Sequence, residues 1–327
     1  MIDRIIAVDL GGTQVRAALC DTQGKILKRA AQPALAHEGP ESVFARIVTS
    51  ICEIVDDWAH VRGIGLGAPG TLDPWRGVLL EAPNLPGMIN FPLKARLEKE
   101  LGVAAFVGND ANLAALGEHR YGAGRGFAHM IYMTIGTGIG GGIVADDKLF
   151  LGWRGLAGEV GHQTLEASGP QCSCGNIGCL EALAAGPAIA RDARAALVAG
   201  RDSKMHALVN GDLEQITGKV VTQAARDGDA PAREILDRAG FYIGLGIISL
   251  LHNFDTQLFV LGGGVAINAW EFLYPQMRAV LAKHAMPSMR HGVQIVPAQL
   301  GDDAGLLGAA VLVCDECRVA DDVRRET

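Results

Sequence analysis

Apolar residues recur along this chain with two different periods. Arg4–Leu10, Val15–Cys20 and Lys25–Arg29 are short apolar or alternating runs, separated by Gly11-Gly12-Thr13 and Thr22-Gln23-Gly24. They predict three strands joined by tight turns. The period then changes: Val43, Ile47, Ile51, Ile54 and Trp58 fall on one side of a helix over Glu41–Ala59. Val61–Leu66 and Ala104–Val107 read as buried strands, Leu93–Leu101 and Ala111–Tyr121 as helices.

The opening pattern returns at Met130–Ile135, a strand followed by the turn Gly136-Thr137-Gly138 and a second strand, Gly140–Ala145. Asp9 to Asp21 and Thr134 to Asp146 each span twelve positions, so Gly11, Gly12 and Thr13 align with Gly136, Thr137 and Gly138. The two hairpins form one degenerate repeat. Beyond residue 185 helices dominate, at Pro187–Ala199, within Thr222–Ala239, at Phe241–Asn253 and at Trp270–His284. Two short strands, Leu258–Leu261 and Val293–Pro297, lie among them. Alternating strands and helices predict an α/β architecture. The expected division is a small N-terminal α/β domain over 1–112 and a larger α/β domain over 113–304, with a closing helix at about 305–327 packing back on the first.

With 327 residues, 49% hydrophobic and 20% charged, the chain can bury a sizeable core. Its net charge of −7 is spread without a basic stripe, which argues against nucleic acid as a partner. Met1-Ile2-Asp3-Arg4 runs directly into a strand, without a basic leader and apolar segment. The apolar stretches are broken well short of the ~20 residues that cross a bilayer. A cytoplasmic protein without a membrane partner is expected.

Seven cysteines, an odd number, do not suggest a disulfide framework. Cys172, Cys174 and Cys179 supply three thiols within eight residues, with Gly175 and Gly178 allowing sharp turns between them. Tetrahedral zinc needs a fourth ligand, and His162, ten residues earlier, is the candidate. Cys314 and Cys317 lack a second pair and read as incidental.

The 43 glycines cluster in turns. In Asp9-Leu10-Gly11-Gly12-Thr13 the glycines let backbone N–H groups approach an anion, Thr13 adds a hydroxyl, and Asp9 suits a hydrated magnesium ion. A tight hairpin alone would use the same residues. Thr134 to Gly142 is denser in glycine; no Gly-Lys-Ser/Thr follows, and the next element is a strand, which excludes a Walker loop and a Rossmann turn. Gly262-Gly263-Gly264 joins a strand to a helix. Three such turns, two of them repeat-related, point to a nucleotide, with Thr134, Gly136, Thr137 and Gly138 in the second. Asn109-Asp110 stands at a strand-to-helix junction, where Asp110 suits a helix N-cap. From this position alone the cap is the favoured reading, with a general base as the alternative.

Asp9–Thr13, Asn109-Asp110-Ala111-Asn112, Gly136–Gly142, Gly158-Glu159-Val160-Gly161-His162 and Cys172–Glu181 occur in an order that resembles the ROK family of bacterial sugar kinases and sugar-responsive repressors. The likeness runs from Asp9 to about Gly308 and is most specific over Gly161–Gly186. It implies an actin-like, hexokinase-like (ribonuclease H-like) fold of two domains with a central cleft. It implies ATP-dependent phosphorylation of a hexose at its 6-hydroxyl, with Mg2+ accompanying ATP and Asp110 as the base. Gly70, Asn84, Asn109, Glu159, His162 and Glu181 would then hold the sugar, with His162 also binding a structural Zn2+.

Ala82-Pro83-Asn84-Leu85 is similar to the glucokinase branch, which makes glucose the expected substrate. N-acetylmannosamine, N-acetylglucosamine, fructose and mannose are the alternatives, and polyphosphate an alternative donor. A non-catalytic repressor would carry a helix-turn-helix before the first glycine turn, and only eight residues precede Asp9. Ser168 and Leu183–Gly186 depart from the family pattern, which commonly has Asp at the first position and Tyr-Ala-Ser-Gly at the second. The likeness also implies a homodimer or homotetramer.

Overall fold

A computed structural model describes residues 3–326, with side chains through 318. Thr327, the end of the expected closing helix, lies outside the described residues. The chain runs β1 (Arg4–Leu10), β2 (Gln14–Asp21), β3 (Ile26–Pro33), α1 (Pro40–Ile54), β4 (Val61–Ala68), β5 (Thr71–Asp73), β6 (Val78–Glu81), α2 (Leu93–Leu101), β7 (Ala105–Asn109) and α3 (Asp110–Tyr121). It continues with β8 (Met130–Ile135), β9 (Ile139–Ala145), β10 (Lys148–Leu149), α4 (Leu180–Ala184), α5 (Gly186–Val198), α6 (Lys204–Leu208) and α7 (Gly218–Arg226). Then come α8 (Ala230–Phe254), β11 (Leu258–Gly262), α9 (Gly264–Asn268), α10 (Trp270–His284), β12 (Gln294–Pro297) and α11 (Ala304–Glu326).

The strands form two five-stranded sheets, β3-β2-β1-β4-β7 and β10-β9-β8-β11-β12, and the hairpin β5-β6. In the first sheet β1 pairs antiparallel with β2 and parallel with β4, which pairs parallel with β7. In the second, β11 pairs parallel with β8 and with β12. The repeated hairpin thus sits at the same place in two sheets of like order.

Contacts divide the chain into two compact units: 1–128, 142–158 and 299–327 form one, and 129–141 and 159–298 the other. The expected boundary at 112/113 falls inside α3. That helix belongs wholly to unit 1 because it packs on α11 and β7.

Period-2 alternation builds unit 1 on both faces of its sheet. Ile6, Val8 and Leu10 of β1 join Val43, Ile47 and Ile51 of α1 and Leu93 and Leu97 of α2 in one core. Ile5 and Ala7 point the other way, to Leu113 and Leu116 of α3 and Leu306, Ala310 and Val313 of α11. The helices α3 and α11 touch backbone to backbone. A Cβ at Gly308 would overlap the carbonyl oxygen of Leu113, and one at Gly117 that of Ala304. Glu118, fully buried, accepts from the backbone N–H groups of Ala123 (2.9 Å), Gln299 (2.9 Å) and Leu300 (2.7 Å). Three donors offset the desolvation of its carboxylate and pin the chain where it re-enters unit 1.

In unit 2, α8 is apolar and long enough to cross a membrane, but 61% of its most apolar stretch is buried in the protein. It packs on α4, α5, α7 and α10 as a core helix. The separate helices expected around Thr222–Ala239 and Phe241–Asn253 are α7 and this one continuous helix.

Candidate active site

Three parallel strands of unit 1 end side by side, and each brings a site residue to its C-terminal end. Asp9 is the last residue but one of β1, Ala68 ends β4 two residues before Gly70, and Asn109 ends β7. The packing around Gly67 shows how close they lie: a Cβ there would stand 3.7 Å from Asp9 Oδ1 and 3.8 Å from Asp110 Cα. Asp9 and Asp110 therefore flank one point at the strand ends.

The helix cap at this junction is Asn109. Its side-chain oxygen accepts from Ala111 N (3.0 Å) and Asn112 N (3.2 Å), and its Nδ2 donates to the carbonyl of Gly70 (3.1 Å). Capping satisfies two of the orphan N–H groups of α3. Asp110 follows as the first helical residue, with Oδ1 accepting from Ala111 N at 2.8 Å. Its negative charge sits at the positive end of the helix dipole.

The turn after β1 closes with Gly11 N donating to Gln14 O at 2.9 Å. Gly12 presses on Asn84, whose Cβ would stand 2.8 Å from a Cβ added at Gly12. This contact brings the expected sugar ligand Asn84 against the expected phosphate turn. Opposite Asp9 on β2 stands Arg16, which donates to Asp9 Oδ2 through Nε at 3.1 Å and through a second, shorter bond from its terminal nitrogen. Its other terminal nitrogen donates to Asp302 O at 2.9 Å.

In unit 2 the second glycine turn closes with Gly136 N donating to Gly138 O (2.9 Å), and Gly186 N at the start of α5 donates to Gly136 O (2.8 Å). Thr134 pairs in register with Gly262, and Gly263 packs on the backbone of Ile135. The second and third glycine turns are therefore neighbours. Glu181, in the first turn of α4, accepts from Ile139 N through Oε2 at 2.9 Å and from the Ser173 hydroxyl through Oε1 at 3.0 Å. Gly138 is needed here, since a Cβ would lie 2.6 Å from Glu181 Oε2.

His162, Cys172, Cys174 and Cys179 place their donor atoms within 4.8 Å of one another. Cys174 and Cys179 Sγ are 3.7 Å apart, and Cys172 Sγ is 3.6 Å from His162 Nδ1. Tetrahedral zinc with Zn–S of about 2.3 Å and Zn–N of about 2.0–2.1 Å would need roughly 3.8 Å and 3.5 Å. The donor set and spacing fit a closed zinc site. Burial, with the neighbouring thiols, pushes the Cys179 thiol up to about 12. Its partner Cys174 is lowered, first by a backbone hydrogen bond from Asn176. His162 Nε2 stands 3.8 Å from Glu159 Oε2, so the ring presents one nitrogen to the thiols and the other to a carboxylate.

The sequence model of the ROK family matches residues 5–316. The chain belongs to the ROK family. A glucokinase from Thermotoga maritima is 38% identical over 310 residues, which cover 95% of this chain and 97% of the relative. Among solved structures, a ROK hexokinase from Thermus thermophilus is 37% identical with a TM-score of 0.80, covering 96% of this chain and 99% of the other. A ROK family glucokinase from Streptomyces griseus, in complex with glucose and AMPPNP, is 35% identical with a TM-score of 0.79, covering 94% and 98%. The fold is accordingly the actin-like, hexokinase-like two-domain fold.

Two residues of this ROK chain that sequence reasoning passed over stand against expected site residues. Arg16 is one polar position in an alternating strand, and only the β1–β2 register puts it on Asp9. Ser173 lies between two metal-type cysteines, and only the folded loop brings its hydroxyl to Glu181. Both are pairings across a turn, invisible to spacing alone.

Proposed function

We propose that this chain transfers the γ-phosphoryl group of ATP to the 6-hydroxyl of a hexose, glucose in the first place, with Asp110 as general base. The observation that carries the base assignment is the cap. Asn109 caps α3 from the end of β7, and so sets Asp110 at the first helical position beside Asp9, where the sugar hydroxyl would lie.

In the reaction, the sugar O6–H gives its proton to an Asp110 carboxylate oxygen as O6 bonds to the γ-phosphorus. The bond from that phosphorus to the β,γ-bridging oxygen breaks, and ADP leaves with the electron pair. Such transfers need positioning and charge neutralisation more than covalent help. In unit 1 the proton acceptor is joined by Asn84, Asn109 and the backbone at Gly70 as sugar ligands. Glu159, His162 and Glu181 are the further sugar ligands that the family likeness implies. Asn84 and Asn109 each offer donor and acceptor, which suits hydroxyl groups.

Backbone N–H groups at Gly11, Gly12 and Thr13, at Gly136, Thr137 and Gly138, and at Gly262, Gly263 and Gly264 serve the nucleotide, with Thr134 beside them. Asp9 would hold hydrated magnesium, which when bound neutralises phosphate charge. Cys172, Cys174, Cys179 and His162 Nδ1 would hold zinc, which fixes the loop and the ring and so directs Nε2 to the sugar.

Purified protein assayed with ATP against glucose, mannose, fructose, N-acetylglucosamine and N-acetylmannosamine tests the substrate. Glucose is expected to give the highest kcat/KM. Turnover confined to an N-acetyl sugar overturns the glucose assignment.

A further inference from the structure

Asp9 and Arg16 are directly opposite in the β1–β2 register, so their side chains share one face of the sheet. Both Nε and a terminal nitrogen of Arg16 donate to the same oxygen, Asp9 Oδ2. A carboxylate oxygen offers about two lone-pair sites. Arg16 therefore fills Oδ2. The other oxygen, Oδ1, makes no hydrogen bond among the described residues.

The packing keeps space for that open oxygen. A Cβ at Gly67 would stand 3.7 Å from Oδ1, and one at Gly305 would stand 3.4 Å from it. Glycine at both positions leaves a recess that side chains would fill. Gly305 is the second residue of α11, so the carboxylate lies beside the positive end of a long helix. A single carboxylate oxygen with room for water fits hydrated magnesium.

Arg16 is itself held at its far side. Its remaining terminal nitrogen donates to Asp302 O at 2.9 Å, and Arg29 grips the same turn through the Asp303 carboxylate. The rigid guanidinium plane is thus fixed on two sides, and the carboxylate it grips keeps one orientation. Its charge also balances that of Asp9, and a neutral pair has little pull to strip water from a cation.

We infer that Arg16 is a positioning residue that makes Asp9 a one-oxygen ligand and thereby favours Mg2+ over Ca2+. The assignment rests on ATP and Mg2+ serving the site as proposed above. Mg2+ keeps several waters and demands strict octahedral geometry, whereas Ca2+ accepts bidentate carboxylates in a larger and looser set of oxygens. With Oδ2 closed, Asp9 cannot bind a cation through both oxygens. Lysine would keep the charge but not the fork that fills Oδ2.

The test is AMPPNP binding to the full chain by calorimetry, once with Mg2+ and once with Ca2+. The parent is expected to bind the Mg2+ complex more tightly. Arg16→Met is expected to lower the ratio of the two affinities by about tenfold, the low end of what losing a partner of a metal ligand costs. Arg16→Lys, the variant safer for the fold, is expected to lower the ratio in the same direction. In an Asp9→Ala background, Arg16→Met is expected to leave the ratio unchanged, because its effect passes through Asp9. A parental ratio in either single variant overturns the inference. So does an equal fall in the Asp9→Ala background, which would make Arg16 a direct phosphate contact. Failure of the parent to bind AMPPNP with either cation overturns the nucleotide reading as well.

Discussion

The hydroxyl of Ser173 donates to Glu181 Oε1 at 3.0 Å while Ile139 N donates to Glu181 Oε2 at 2.9 Å. One carboxylate thereby joins the cysteine-rich loop to the second glycine turn. Ser173→Ala is expected to raise glucose KM about fivefold, the equivalent of about 1 kcal/mol for one hydrogen bond at an exposed position. Zinc content, read by elemental analysis, stays at the parent level. An unchanged KM would show that Ile139 N alone holds the carboxylate.

Asp110→Asn is expected to lower kcat by about two orders of magnitude or more, the scale of a general base, with sugar binding retained. Asn109→Ala should act differently. It removes the cap of α3 and the bond to Gly70, so it should lower stability by about 1 kcal/mol, measured by denaturant unfolding. Undiminished turnover in Asp110→Asn would place the base elsewhere.

Cys174→Ser should abolish zinc retention on gel filtration and raise glucose KM. Because thiols must lose their protons to bind metal, zinc affinity of the parent falls as pH falls. Competition with a chromophoric chelator between pH 8 and 6 would follow it, and a fully active metal-free variant would remove the loop's supporting role.

Arg29 and Asp303 form a two-bond ion pair at 2.5 and 2.7 Å, and the guanidinium holds the Asp303 carboxyl below its usual 3.8. The folded pKa is depressed, so the pair stabilises above the unfolded value, and the contribution disappears as pH falls through the folded value. Both groups are partly exposed, which limits the effect to about 1 kcal/mol or less. Arg29→Met should therefore be less stable than the parent at pH 7. The gap should close as pH falls below the unfolded value and through the lowered folded one, where the carboxyl is protonated in both states.

Gly308→Ala sets two effects against each other. Helix propensity favours Ala by about 1 kcal/mol. Overlap with the Leu113 carbonyl opposes it, and backbone there cannot swing aside as a side chain could. Packing should win by about 2 kcal/mol or more. A melting temperature equal to or above the parent's would show that the helices separate easily.

Much of the site was legible because some chemistry is local in sequence. Three thiols within eight residues predict a cluster, which the structure gathers with His162, and a hairpin repeated at a fixed offset predicts two sheets of like order. Asn109 and Asp110 show where local information stops. Either type suits a cap, and the structure gives it to Asn109, which also bonds Gly70, thirty-nine residues away. Arg16 and Ser173 escaped for the same reason. The hairpin β5–β6 escaped because Thr71–Asp73 is too short for a period to register. The division of the chain was hardest to read, since α3 follows β7 directly and nothing local announces that it packs on a helix almost two hundred residues later.

That last partnership sets a timetable for the growing chain. The core of unit 1 contains Leu306, Ala309 and Val313, which the ribosome adds only after all of unit 2. Unit 2 is contiguous apart from β8 and its turn, and can settle while synthesis continues. The first sheet must wait with Ile5, Ala7 and Cys20 uncovered until α11 emerges. Slowing translation before residue 304 should therefore lengthen the exposure of the N-terminal half to chaperones and proteases, and leave unit 2 largely indifferent.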